Sequence, residues 1–156
     1  MTTRLPLIAF ALSLAPGVAL AAGNHAGGHP MAIGMAAHHK PSRTVEVTMR
    51  ETDDGAYVFE PADLAFTPGE TVRLHIVNAG ETEHEFVMDT PHAITEHKAL
   101  MEKFPEMEHD DPNAVRLGPG EEADILWTFG DAGAFAFACL LPGHYEAGMH
   151  GTLDVK

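Results

Sequence analysis

The tightest constraint on this chain lies near its C-terminus, in the stretch Cys139-Leu-Leu-Pro-Gly-His-Tyr-Glu-Ala-Gly-Met149. It contains the only cysteine, followed by His144 and Met149 at the spacing C-x4-H-x4-M. A thiolate, an imidazole and a thioether are soft to borderline donors, and a site built from them selects copper over hard cations such as magnesium or calcium. Pro142, Gly143 and Gly148 suit a loop tight enough to turn all three side chains toward one point, because proline pre-sets a turn and glycine permits positive φ. Taken singly each donor has an ordinary reading: a buried inert thiol, a surface imidazole, a methionine filling the core. Their joint spacing carries the metal reading.

A trigonal copper centre needs two imidazoles and a thiolate, with a long axial thioether. The second imidazole is found upstream, at His84 in Asn-Ala-Gly-Glu-Thr-Glu-His-Glu-Phe. With these four residues in place, the chain resembles the cupredoxins, the plastocyanin and azurin type of small copper protein, over roughly Val45 to Val155. The resemblance implies that His84, Cys139 and His144 ligate one copper ion per folded domain, with Met149 as the axial donor. It also implies a Greek-key β-sandwich. One residue departs from the pattern: Glu85 follows the upstream histidine where many plastocyanin-like proteins carry asparagine, so the bond that asparagine makes is in question.

The hydropathy pattern agrees with an all-β fold. Val45, Val47 and Met49 alternate with polar neighbours, and so do Val72, Leu74 and Ile76, with Arg73 and His75 facing out. Further strands are predicted at 57–60, around Leu64 and Phe66, at 84–89, 114–118, 121–129 and 151–155, with turns at Asp53-Asp54-Gly55, 67–70, 78–80 and 130–133. Phe135, Phe137 and Cys139 share a face by period two, which sets the thiolate at the inner end of an aromatic layer. Trp127 reads as core. About seven or eight short strands describe a Greek-key β-sandwich. Residues 89–113 break the strand rhythm, and Leu100, Met101 and Phe104 at helical spacing predict a short helical insertion over Ala93–Phe104. It carries His92, His97, Met101, Met107 and His109; a docking face explains the stripe better than a second metal site. Met88 suits core packing better than copper contact, and His150 falls outside the coordination shell.

Residues 1–22 read as a secretory signal peptide, with Arg4, an apolar run from Leu5 to Leu14 and the small-residue motif Ala19-Leu20-Ala21. Pro16 and Gly17 make it a poor membrane span, so the exported form is expected to be soluble, without a span, in the periplasm. Residues 23–43 differ from the rest: glycine, alanine, histidine and methionine, with no aromatic residue. Too little large apolar surface is present to offset the entropy of ordering, which predicts a disordered arm ahead of a domain over 44–156. Its His25, His29, Met31, Met35, His38 and His39 suit an auxiliary, weaker copper-capturing segment, although a featureless linker has the same composition.

With 9 basic and 23 acidic side chains, net charge −14, nucleic acid is excluded as a partner. One cysteine excludes an intramolecular disulfide framework. Four protein donors leave no open metal position, and Ser42 beside the arm cannot supply serine-nucleophile chemistry, so no enzymatic activity is expected. Two functions remain. The His/Met arm and acidic surface favour a periplasmic copper-binding protein of copper tolerance, similar to the cupredoxin-type tolerance proteins. The alternative is a soluble electron carrier, which implies a periplasmic or membrane redox partner.

Overall fold

The computed structural model describes residues 31–105 and 111–156. Among them, ten strands and one helix follow in chain order: β1 (Gly34–Ala36), β2 (Arg43–Glu51), β3 (Tyr57–Glu60), β4 (Asp63–Phe66), β5 (Thr71–Asn78), β6 (His84–Asp89), α1 (Pro91–Met101), β7 (Ala114–Leu117), β8 (Glu122–Phe129), β9 (Gly133–Ala138) and β10 (His150–Val155). They form a Greek-key sandwich of two five-stranded sheets, β1-β8-β5-β2-β3 and β4-β10-β9-β6-β7. Val72, Leu74 and Ile76 of β5 are fully buried, while Arg73 is exposed and His75 bonds Asp124 on the outer face at 2.9 Å. That is the period-two pattern a half-buried strand requires.

Aromatic residues join the two sheets. Phe59 of β3 meets Phe86 of β6 and Phe137 of β9 edge-on, with ring centroids 5.9 and 5.1 Å apart, and Phe66 of β4 stacks on Phe129 of β8 at 4.0 Å. Edge-to-face and offset contacts of this kind add to the gain from area burial. β6 breaks the alternation, since His84 to Met88 are all buried. The reason is α1, which packs on β6 and β9 with Ile94 and Met101 buried. Thr90 caps the helix by accepting a bond from the Ala93 N–H at 3.2 Å, and Pro91 occupies its first turn. The helix therefore starts two residues before the predicted boundary. Of the predicted stripe only Met101 is buried; Leu100 and Phe104 are exposed, so the docking face is Ile94 and Met101. His92 is exposed, whereas Met107 and His109 lie outside the described residues.

The expectation of a disordered arm over 23–43 is corrected where the structure describes it. β1 pairs antiparallel with β8, setting Gly34 opposite Phe129 and Ala36 opposite Trp127. Ile33 is fully buried, and its carbonyl accepts the Trp127 indole N–H at 3.2 Å. Gly34, at φ +131°, has no room for a Cβ against the Thr128 carbonyl. The compositional argument weighs only the segment's own apolar surface; the core supplies the rest, through a slot for Ile33 and an indole donor that needs an acceptor. Residues 1–30, with the expected signal peptide and His25 and His29, lie outside the described residues. Ile33→Ala is accordingly expected to lower stability by about 2–5 kcal/mol, the cost of truncating a buried aliphatic side chain. In urea unfolding, a change within about 0.5 kcal/mol would mean the segment is not part of the core.

Candidate metal centre

β6 and β9 are neighbours in one sheet, with Val87 opposite Ala138. This pairing brings the start of β6, where His84 lies, close to Cys139, the first residue after β9. The Glu85 N–H donates to Cys139 Sγ at 3.3 Å. From Cys139 the chain makes a compact loop and returns at Met149, which closes it twice: the Cys139 N–H donates to the Met149 carbonyl and the Met149 N–H to the His144 carbonyl, each at 3.0 Å. Gly143 and Gly148 hold φ at +87° and +105°, a conformation that a side chain would strain.

The loop folds His144 back onto Cys139, with Nδ1 3.3 Å from Sγ, and His84 Nδ1 lies 3.3 Å from His144 Nδ1. The donor atoms of His84, Cys139 and His144 all fall within 4.8 Å of one another. A metal bonded to two imidazole nitrogens and a thiolate in a trigonal plane needs donor separations of about 3.5–3.8 Å, given metal–N near 2.0–2.1 Å and metal–S near 2.3 Å. The three side chains fit that requirement with small adjustments. Cys139, His84 and Met149 are fully buried; His144 alone of the four reaches the surface. Met149, buried at the end of the loop, is tied to Cys139 and His144 by its two backbone bonds.

Residues 45–156 match the copper binding proteins of the plastocyanin/azurin family. This chain belongs to that family. Two curated relatives are both named copper-resistant cuproprotein CopI: one from Rubrivivax gelatinosus, 45% identical over 75% of this chain and 68% of its own length, and one from Pseudomonas aeruginosa, 32% identical over 82% and 84%. Among solved structures, auracyanin B superposes with a TM-score of 0.62 at 26% identity, covering 78% of this chain and 94% of that one.

In this cupredoxin the substitution of Glu85 for asparagine leaves the scaffold tied. Glu85 is buried, and its carboxylate accepts the Leu140 N–H at 3.3 Å, so the β6 segment still holds the residue after the cysteine. Tyr57 packs edge-on against His144 and His84, with centroids 4.5 and 5.6 Å away. His150 stacks on Tyr145 at 4.6 Å and stays out of the donor cluster, and Met88 is buried in the core.

The residue that the sequence reading missed is Glu51, the last of β2. Its Oε1 lies 3.1 Å from His84 Nε2, the ring nitrogen facing away from the donor cluster. No local signal marks it, because the two residues are 33 positions apart and meet only across the sheets. Burial alone would raise the Glu51 pKa, but hydrogen bonds from Thr82 and the Glu81 N–H, with the nearby His84, outweigh it and hold the carboxyl at about 2. Burial pushes the Cys139 thiol up to about 12, against the bonds from Glu85 and Leu141, so the metal-free protein carries a thiol and metal binding displaces its proton.

Burial also lowers the pKa of both His84 and His144, the latter helped by the neighbouring His84. A buried neutral imidazole and a bonded carboxylate share one sign: below the ordinary values of 6.5 and 4.5 the unfolded chain binds more protons than the folded one. The metal-free protein is therefore expected to be most stable above pH 6.5 on the acid side, to weaken as pH falls below that value, and to weaken further between pH 4.5 and 2 as Glu51 protonates. Urea midpoints at pH 7.5, 5.5 and 4 check this; a midpoint that rises on acidification contradicts it.

Proposed function

We propose that this protein binds one copper ion through His84, Cys139 and His144, with Met149 as a long axial donor, and serves copper tolerance in the periplasm. The observation that carries the ligand set is the convergence of one thiol and two imidazoles at trigonal spacing, on strands and a loop that hold them in place. Bound copper would supply one-electron chemistry between its cuprous and cupric forms and an intense sulfur-to-copper absorption. The chain's own part is to fix the donors, exclude water with Tyr57, and lose the Cys139 proton. Because four protein donors close the coordination sphere, the reading is of a binding protein, not an enzyme. Copper tolerance rests on the two CopI relatives, both described as copper-resistant. No helix among the described residues is long and apolar enough to cross a membrane.

The electron-carrier reading draws on one observation. Only His144 of the donors reaches the surface, which offers a short path for an electron to a docked partner. Deleting the gene separates the two: loss of copper tolerance supports the first, while intact tolerance with lost electron delivery to a reductase or oxidase supports the second. Copper titration of the exported form should saturate the visible band at one ion; no such band would refute the ligand set. Met149→Leu should keep the band and raise the reduction potential, since a donor that stabilises the cupric form has gone. A lowered potential would contradict the axial role. If His25 and His29 capture copper, a form lacking 23–30 should lose copper bound beyond the first ion and keep the band; unchanged stoichiometry removes those two residues from copper capture.

A further inference from the structure

Outside the donor cluster itself, the most constrained group near the site is the Glu51 carboxylate. Its Oε1 accepts from Thr82 Oγ1 at 2.5 Å and the Thr82 N–H at 3.1 Å, besides facing His84 Nε2 at 3.1 Å; its Oε2 accepts the Glu81 N–H at 2.8 Å. Three protein donors, with the His84 ring nitrogen facing the same oxygen as two of them, fix where the carboxylate lies. Gly80 completes the cradle: a Cβ there would run into Glu51 Oε2 and come within 2.8 Å of His84 Nε2. The Arg50 guanidinium does not pair with this carboxylate: it forks onto both oxygens of Glu60 at 2.9 and 2.5 Å and donates to the Glu51 backbone carbonyl at 3.2 Å.

We propose that Glu51 is a positioning residue of the copper centre, holding His84 by its Nε2–H and biasing the bound ion toward the cupric form. A neutral imidazole has one N–H and one lone pair. With the proton on Nε2 and directed to Glu51, the Nδ1 lone pair is left facing His144 and Cys139, where the metal belongs. The negative charge behind the ring increases electron donation from Nδ1, and greater donation stabilises the more highly charged ion. Cupric affinity rises more than cuprous affinity, and the reduction potential falls. This rests on the ligand set proposed above.

Glu51→Gln is the test, because glutamine keeps an oxygen to accept the Nε2–H while removing the charge. The visible band should persist. Cupric affinity should drop about 10–100-fold, the usual cost of altering a partner of a metal ligand, with a smaller change for cuprous ion. Each tenfold change in that ratio appears as a rise of about 59 mV in a one-electron potential. An unchanged or lowered potential overturns the proposal. Should the variant fail to fold, nitrogen-15 NMR of the unsubstituted, metal-free protein decides: His84 protonated on Nε2 supports the assignment, and protonation on Nδ1 overturns it. A missing band in the unsubstituted protein is a different failure, that of the ligand set, and takes this role with it.

Discussion

Cys139→Ser is expected to abolish the intense visible band and to cut copper affinity by more than the roughly 10–100-fold that loss of a supporting partner costs. The thiolate is the only soft anionic donor in the cluster, and its charge transfer to copper is what the band reports. A serine hydroxyl is harder, remains protonated in the physiological range and leaves two imidazoles and a weak thioether to hold the ion. The fold should survive. Cys139 is fully buried, but the Glu85 N–H that donates to its sulfur can donate to serine oxygen instead, so no new polar atom is stranded. Copper titration followed by absorption, with circular dichroism to verify folding, makes the measurement. An undiminished band in a folded Cys139→Ser protein would remove sulfur from the site.

Phe137→Ala is expected to cost about 3–5 kcal/mol, among the larger effects a single core substitution has. Phe137 is fully buried between Phe59 and Phe86, with centroids at 5.1 and 5.5 Å, and its ring also lies over Gly151, where an added Cβ would collide with it. Removing the ring leaves a void between two sheets whose strands cannot close over it, because their register is locked by pairing on both sides. Against a total stability of about 5–15 kcal/mol for a domain of this kind, such a loss lowers the melting temperature by roughly 10 °C or more. Phe104→Ala is the control: that ring is 58% exposed, and its loss should change stability by no more than about 0.5 kcal/mol. Equal effects from the two substitutions would show that the aromatic layer under the Cys139–Met149 loop does not hold the sandwich together.

The two substitutions concern residues two positions apart on one face, and that linkage explains why so much was legible in the chain. Alternation at Val72, Leu74 and Ile76 and at Phe135 and Phe137 reports strand faces directly, since a pleated strand turns successive side chains to opposite sides. The proposed donors Cys139, His144 and Met149 could be nominated for a similar reason, because they sit on one short loop where spacing in sequence is close to spacing in space. His84 needed the family resemblance to be chosen over other histidines.

What went unread has one cause. Ile33 and Glu51 have no local periodicity or motif to announce them; each acquires its role from a residue far along the chain, Trp127 for the first and His84 for the second. The helix start moved because a single hydroxyl, on Thr90, caps the first turn, an effect too local for an apolar stripe to register.

The strand faces, the turns and the late donor loop thus follow from the order of residues alone, because they depend on backbone geometry and neighbours a few positions away. The seating of the N-terminal strand and the carboxylate behind His84 emerge only when sheets pair and pack, since an isolated segment cannot specify what a distant surface will offer it.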